Sequence, residues 1–153
     1  MANVITNELQ KQMLTLAVDD ELTGAGPLDG AKVALYTGTP TLSRAMVYSD
    51  FTQPTFTGYA IKDAVWDDAA FLDNSGAYTV ACDALQFQAS GGTPNDVVRG
   101  YVVFTGANPN QKVLWAEELD EPVSISEVGD GLVVIPALKL GNDGDYGSGT
   151  VIA

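Results

Sequence analysis

From Ala31 to Leu140 the chain is written in short segments of apolar or alternating residues, each closed by glycine, proline, asparagine or aspartate. That punctuation leaves no stretch long enough to repeat apolar residues at three- and four-residue spacing, so the span reads as strands and turns. Residues 32–37 (KVALYT) alternate and stop at Gly38 and Pro40. The run 56–66 presents Phe56, Tyr59, Ile61, Val65 and Trp66 with small or polar residues between them. Residues 78–82 and 85–89 form two short strands about Asp83, and SGGTPND at 90–96 is a strong turn signal. The segments 97–105 (VVRGYVVFT) and 113–119 (VLWAEEL) make the best hairpin, joined by GANPNQ. Residues 132–140 (LVVIPALKL) predict a last long strand, with Pro136 marking a bulge, an edge or a strand end. The expected fold is all-β, an antiparallel β-sandwich or jelly roll of seven to eight strands.

Only the amino-terminal region departs from this pattern. Thr6 reads as a helix cap, and Leu9, Met13, Leu16 and Ala17 follow at helical spacing. Asp19, Asp20 and Glu21 oppose the dipole at the far end and stop it. The expected organisation is an amino-terminal helix or docking arm over 1–23, a β domain over 24–141 and a glycine-rich tail over 142–153. The stripe Leu9, Met13 and Leu16 either covers the β domain or reaches a neighbour, and Val151 and Ile152 are candidates for adding a strand to a neighbouring sheet.

Composition narrows the chemistry. The 153 residues hold twenty acidic and seven basic side chains, a net charge of −13, and no histidine. The missing histidine removes the side chain whose unperturbed pKa suits proton transfer near neutrality. The acidity opposes binding to nucleic acid, whose phosphates require clustered lysine and arginine. The longest apolar runs fall far short of a membrane span. The first residues lack a secretory pattern, so synthesis in a cytoplasm is expected. One cysteine, Cys82, excludes an internal disulfide and reads as a buried, inert thiol.

No reaction is written in the remaining motifs. Asp143 and Asp145, set around Gly144, are weak calcium candidates without the ligand spacing of an EF-hand, and no metal or other cofactor is expected. Glu117 and Glu118 follow Trp115, but neighbouring strand residues point to opposite faces and do not converge on one ligand. The serines lack a nucleophile elbow and a histidine partner. Trp66 and Trp115 fit core or interface packing better than sugar stacking, although stacking stays open as an alternative. In the 97–105 strand, Val102 and Phe104 are expected to point inward, leaving Arg99 and Tyr101 for a partner.

The segment VALYTGTPTLSRAMVYSDFTQPTFTGYA resembles a stretch of small tailed-bacteriophage virion proteins of the form LFTN…TP…LADFTEATFTGYA. Leu35, Tyr36, Thr37, Thr39 and Pro40 match its first part; residues 49–52 and 56–60 match the second; Trp66 follows at a compatible distance. Residues 100–104 and 113–117 are similar to that group's paired strands, so the likeness spans roughly 31–140. Gly38 stands at an asparagine-like turn position, and Gln53-Pro54 replaces an acidic-alanine pair. The resemblance implies no catalytic residue. It implies a structural protein, with capsid decoration or cementing as the leading role. A decorating protein would sit on the outer capsid surface, held by the major capsid protein and by copies of itself, with no nucleic acid and no membrane. A tail-fibre or receptor-binding module that recognises carbohydrate through Trp66 and Trp115 is the alternative.

Overall fold

The computed structural model describes residues 3–5, 28, 30–66, 71–72, 78–140 and 150–152, with side chains described at 28, 30–66 and 81–138. Its frame is the hairpin read from the sequence. Strand β7 (Asp96–Thr105) pairs antiparallel with β8 (Lys112–Ile125). Their β-branched and aromatic residues favour a pleated, packed surface. The connecting loop turns through Gly106 at φ 85°, where an added Cβ would lie 2.6 Å from the Asn110 carbonyl oxygen.

Strand β2 (Lys32–Tyr36) lies on the other side of β7, β3 (Lys62–Asp63) lies beyond it, and β1 (Asn3–Ile5) pairs with β8. The order of this open sheet is β1-β8-β7-β2-β3. The β7–β8 register slips twice. Val103 pairs with Trp115 but Phe104 with Val113, which leaves Leu114 as an extra residue. Val98 pairs with Val123 but Gly100 with Glu118, so Arg99 alone faces the stretch 119–122. Pro122 lies inside that irregularity, where a missing ladder donor does little harm.

Two three-stranded antiparallel sheets complete the fold. One holds β4 (Phe71–Leu72), β5 (Tyr78–Ala81) and β10 (Ala137–Leu140), with β5 central; the other holds β6 (Leu85–Gln88), β9 (Gly131–Ile135) and β11 (Thr150–Ile152), with β9 central. Pro136 separates β9 from β10 and passes the chain from one sheet to the other. Its carbonyl accepts the Cys82 N–H at 2.8 Å. Of the three roles open to that proline, it takes the strand end.

The expected sandwich or jelly roll of seven to eight strands is corrected by this arrangement, while the expected amino-terminal helix, from Thr6 onward, falls outside the described residues. The described residues form eleven strands in three open antiparallel sheets, none closed on itself, and include no α-helix. Asn3–Ile5 is a strand on the edge of the large sheet. The proposed helical stripe of Leu9, Met13 and Leu16 lies outside the described residues. The physical reason for the difference is the apolar run in β7: Tyr101, Val102, Val103 and Phe104 are all buried, as are the five residues 113–117 of β8. Strands buried on both faces need two covers.

Each face has its own core. On one, Val33, Leu35, Val103 and Trp115 meet Phe87, Leu132, Val134 and Leu138 from the smaller sheets. On the other, Ala34, Tyr36, Val102, Phe104 and Ala116 meet Met46 and Phe51. The second cover contains no strand; it is the connection 37–56, which includes one 3-10 turn, Tyr48–Asp50. Tyr36 and Phe51 pack with ring centroids 5.2 Å apart, and Tyr48 and Phe104 at 4.4 Å.

Candidate functional site

Residues 49–60 are bound into the fold at most positions. Phe56 is buried and meets Tyr59 edge-on at 5.5 Å. Tyr59 stacks towards Phe87 at 6.1 Å. Its hydroxyl accepts the Leu35 N–H at 3.1 Å and lies 3.1 Å from Gln53 Oε1, to which it donates. Strand β3 pairs with β2 only at Lys32 and Val33, so this tyrosine satisfies an edge donor that β3 does not reach. Gln53 Nε2 in turn donates to the Tyr48 hydroxyl at 2.5 Å. Burial pushes the Tyr59 hydroxyl above its ordinary value, and burial does the same for Tyr48 against the opposing hydrogen bond from Gln53.

Gly58 closes the module. Its φ is 96°, and a Cβ there would lie 2.6 Å from Ser90 Oγ and 2.9 Å from the Gln88 carbonyl. Thr57 bridges to Gly91, and the Ser90 N–H donates to the Thr57 carbonyl at 2.9 Å. Asp96 Oδ2 accepts the Thr55 N–H at 3.0 Å. These contacts tie the segment to the end of β6 and the start of β7. Its polar atoms are used by the chain's own backbone.

A second polar cluster brings together Tyr101 from one core and Tyr36 from the other at Glu117. Glu117 is 1 % exposed and accepts a hydrogen bond from the Tyr101 hydroxyl through Oε2. The Tyr36 hydroxyl donates to the Glu117 backbone carbonyl at 3.2 Å, directly over Gly100. A Cβ on Gly100 would sit 2.2 Å from both oxygens, so the close approach requires glycine. Burial first, and the nearby Glu117 charge second, push the Tyr101 hydroxyl far above its usual range. Tyr36 is raised by burial and then by Glu118 and Glu117.

Tyr101 is therefore corrected as a partner-facing residue: it is fully buried. Phe104 is buried as expected, on the opposite core. From Tyr101 to Phe104 the alternation is intact, but it separates two interiors rather than an interior from a surface, and the slip at Arg99 places Val98 on the Tyr101 side rather than with Val102 and Phe104 as expected. Arg99 is half-buried at the register slip and forms no ion pair among the described residues. Val151 and Ile152 belong to β11, which pairs with β9 of the same chain. Asp143 and Asp145 lie outside the described residues.

Trp115 is fully buried, and Trp66 is half-buried against the same core, with ring centroids 5.7 Å apart. Both indole N–H groups are shielded from solvent; that of Trp66 has no hydrogen-bond partner among the described residues, whereas that of Trp115 lies towards the Tyr101 hydroxyl and acts to lower its pKa. A buried donor left unpaired costs about 1–3 kcal/mol, so Trp66 is held by apolar packing against its polar preference. Trp115 presents no ring face to a ligand.

Glu117 and Glu118 point to opposite sides, the first buried and the second exposed. Among the described residues no three acidic, cysteine or histidine side chains gather into a metal-binding group. Cys82 is buried, and no helix among the described residues is long and apolar enough to cross a membrane. The sequence reading missed the Tyr48–Gln53–Tyr59 relay and the Tyr36–Gly100–Glu117 crossing. The glycine inside an apolar strand, Gly100, was the available signal for the second. Comparison with protein-family models, curated proteins and solved structures finds no match to this chain.

Proposed function

We propose that this chain is a non-enzymatic structural protein of a tailed-phage virion that decorates or cements the capsid exterior through protein–protein contacts. The observation that carries the reading is the use made of the resembling segment. Phe56, Gly58 and Tyr59, which lie in the resembling stretch, hold the loop to the sheets, and this supports reading the stretch as a fold-holding module rather than a reaction centre. A net charge of −13 suits a protein displayed in many copies, since like charges keep particles apart in solution. Multivalent attachment around a capsid lets individually modest contacts hold durably. The proposed partners are the major capsid protein and further copies of this chain.

The carbohydrate-stacking alternative through Trp66 and Trp115 draws no support from the burial of Trp115. Incubating the purified protein with capsids stripped of accessory proteins, then imaging them at subunit resolution, tests the proposal. Ordered density on the outer shell is the expected result. Binding only to tails, or to no part of the particle, overturns it.

A further inference from the structure

The 3-10 turn and the tip of the β7–β8 hairpin border an open, solvent-facing depression of about 470 Å³, lined by Val47, Tyr48, Ser49, Asn108, Pro109 and Gln111. Its size falls in the range of roughly 300–1,000 Å³ typical of small-ligand sites. None of the six lining residues is charged, in a chain with 27 charged side chains from twenty acids and seven bases. The carboxylate on this turn, Asp50, is engaged by the Val47 N–H at 2.9 Å and does not line the depression.

Tyr48 is a fixed platform. Phe104 supports its ring at 4.4 Å, and Gln53 holds its hydroxyl at 2.5 Å. An aromatic ring locked before binding loses little entropy when a ligand lands on it. Around it stand a second flat apolar surface, Pro109, and three neutral polar side chains. Among the described residues, the side-chain groups of Ser49, Asn108 and Gln111 have no hydrogen-bond partner within the protein. An aromatic platform, two free amides, a free hydroxyl and no formal charge match a ligand with C–H faces and many neutral hydroxyls.

We propose that this depression binds a neutral oligosaccharide, one sugar ring resting on Tyr48 and Pro109 and its hydroxyls bonded by Asn108, Gln111 and Ser49. The site is separate from Trp66 and Trp115, and the proposal stands independently of the virion assignment.

The test is amide-resolved NMR titration of the whole chain with millimolar cellotriose, maltotriose and triacetylchitotriose, with sialyllactose as an anionic comparison. At least one neutral sugar is expected to shift Ser49, Asn108 and Gln111 signals. The double variant Asn108→Ala/Gln111→Ala, which alters only the rim of the fold, is expected to weaken that binding about tenfold or more with its unfolding midpoint unchanged. Tyr48→Ala removes the platform as well, but it also disturbs packing on Phe104, so the rim variant decides. No response to any neutral sugar, shifts confined to another surface, or unaltered affinity in the rim variant overturns the proposal. So does tighter binding of sialyllactose. A proline-rich peptide that shifts the same amides while every sugar fails assigns the depression to protein contact and also overturns it.

Discussion

Replacing Tyr101 with phenylalanine keeps the buried ring and deletes only the hydroxyl that donates to Glu117. The carboxylate is 1 % exposed, so water does not readily take over the lost bond. A hydrogen bond contributes about 0.5–1.5 kcal/mol net, and leaving a buried partner under-satisfied costs about 1–3 kcal/mol. We expect Tyr101→Phe to lose about 2 kcal/mol. With an unfolding slope of about 2 kcal/mol per molar urea, the midpoint falls by about 1 M. Tyr101→Ala removes the ring too and is expected to cost about 3–5 kcal/mol, a value set by the cavity left in the core. Urea unfolding at neutral pH, followed by tryptophan fluorescence and by far-ultraviolet circular dichroism, measures both. Coincident transitions with an unchanged slope are required for the comparison. A phenylalanine variant with the parent's midpoint would refute the buried Tyr101–Glu117 bond. An alanine variant of undiminished stability would return Tyr101 to the surface.

Three further outcomes follow from the same cores. Tyr36, Tyr59 and Tyr101 have folded pKa values raised above the ordinary 10.0, chiefly by burial, so their contribution is complete below pH 10 and is lost as pH rises beyond it. Ultraviolet titration is expected to reveal tyrosines that ionise only as the chain unfolds, with Tyr101 alone giving a slope of about 1.4 kcal/mol per pH unit; full ionisation near pH 10 with the fold intact contradicts this. Gly100→Ala drives a Cβ to 2.2 Å from the Glu117 carbonyl and the Tyr36 hydroxyl, and thermal unfolding is expected to register a loss of about 3 kcal/mol or more, whereas a loss within about 0.5 kcal/mol rejects the close crossing. Asp130 accepts the Ser126 and Glu127 N–H groups at 2.9 Å each, which lowers its pKa below 3.8; its contribution is present above that value and lost as pH falls through the lower folded one. Asp130→Ala is expected to speed hydrogen exchange at Ser126 and Glu127 at neutral pH, and unchanged protection counts against the turn.

The sequence by itself determined where the longer strands lie and where they turn. Residues 32–37, 85–89 and the hairpin 97–119 carry β-branched and aromatic residues between glycine and proline stops, and backbone preference plus local turn chemistry are enough to place them. Gly106 and Pro136 act where the local signal put them, at a loop and at a strand end. The strands of two and three residues, such as Lys62–Asp63 and Phe71–Leu72, are too short to show any period and exist only through their partners. Tertiary structure alone decided the burial of Tyr101. Alternation separates the two faces of a strand, but only the packed fold reveals that both faces are covered, one by sheets and the other by a strand-free connection. The same holds for Tyr48, Gln53 and Tyr59, which lie within twelve residues of one another in a stretch that reads as loop. Their relay forms because the folded edge of β2 leaves the Leu35 N–H to be satisfied, and a long-range donor of that kind has no signature in local sequence.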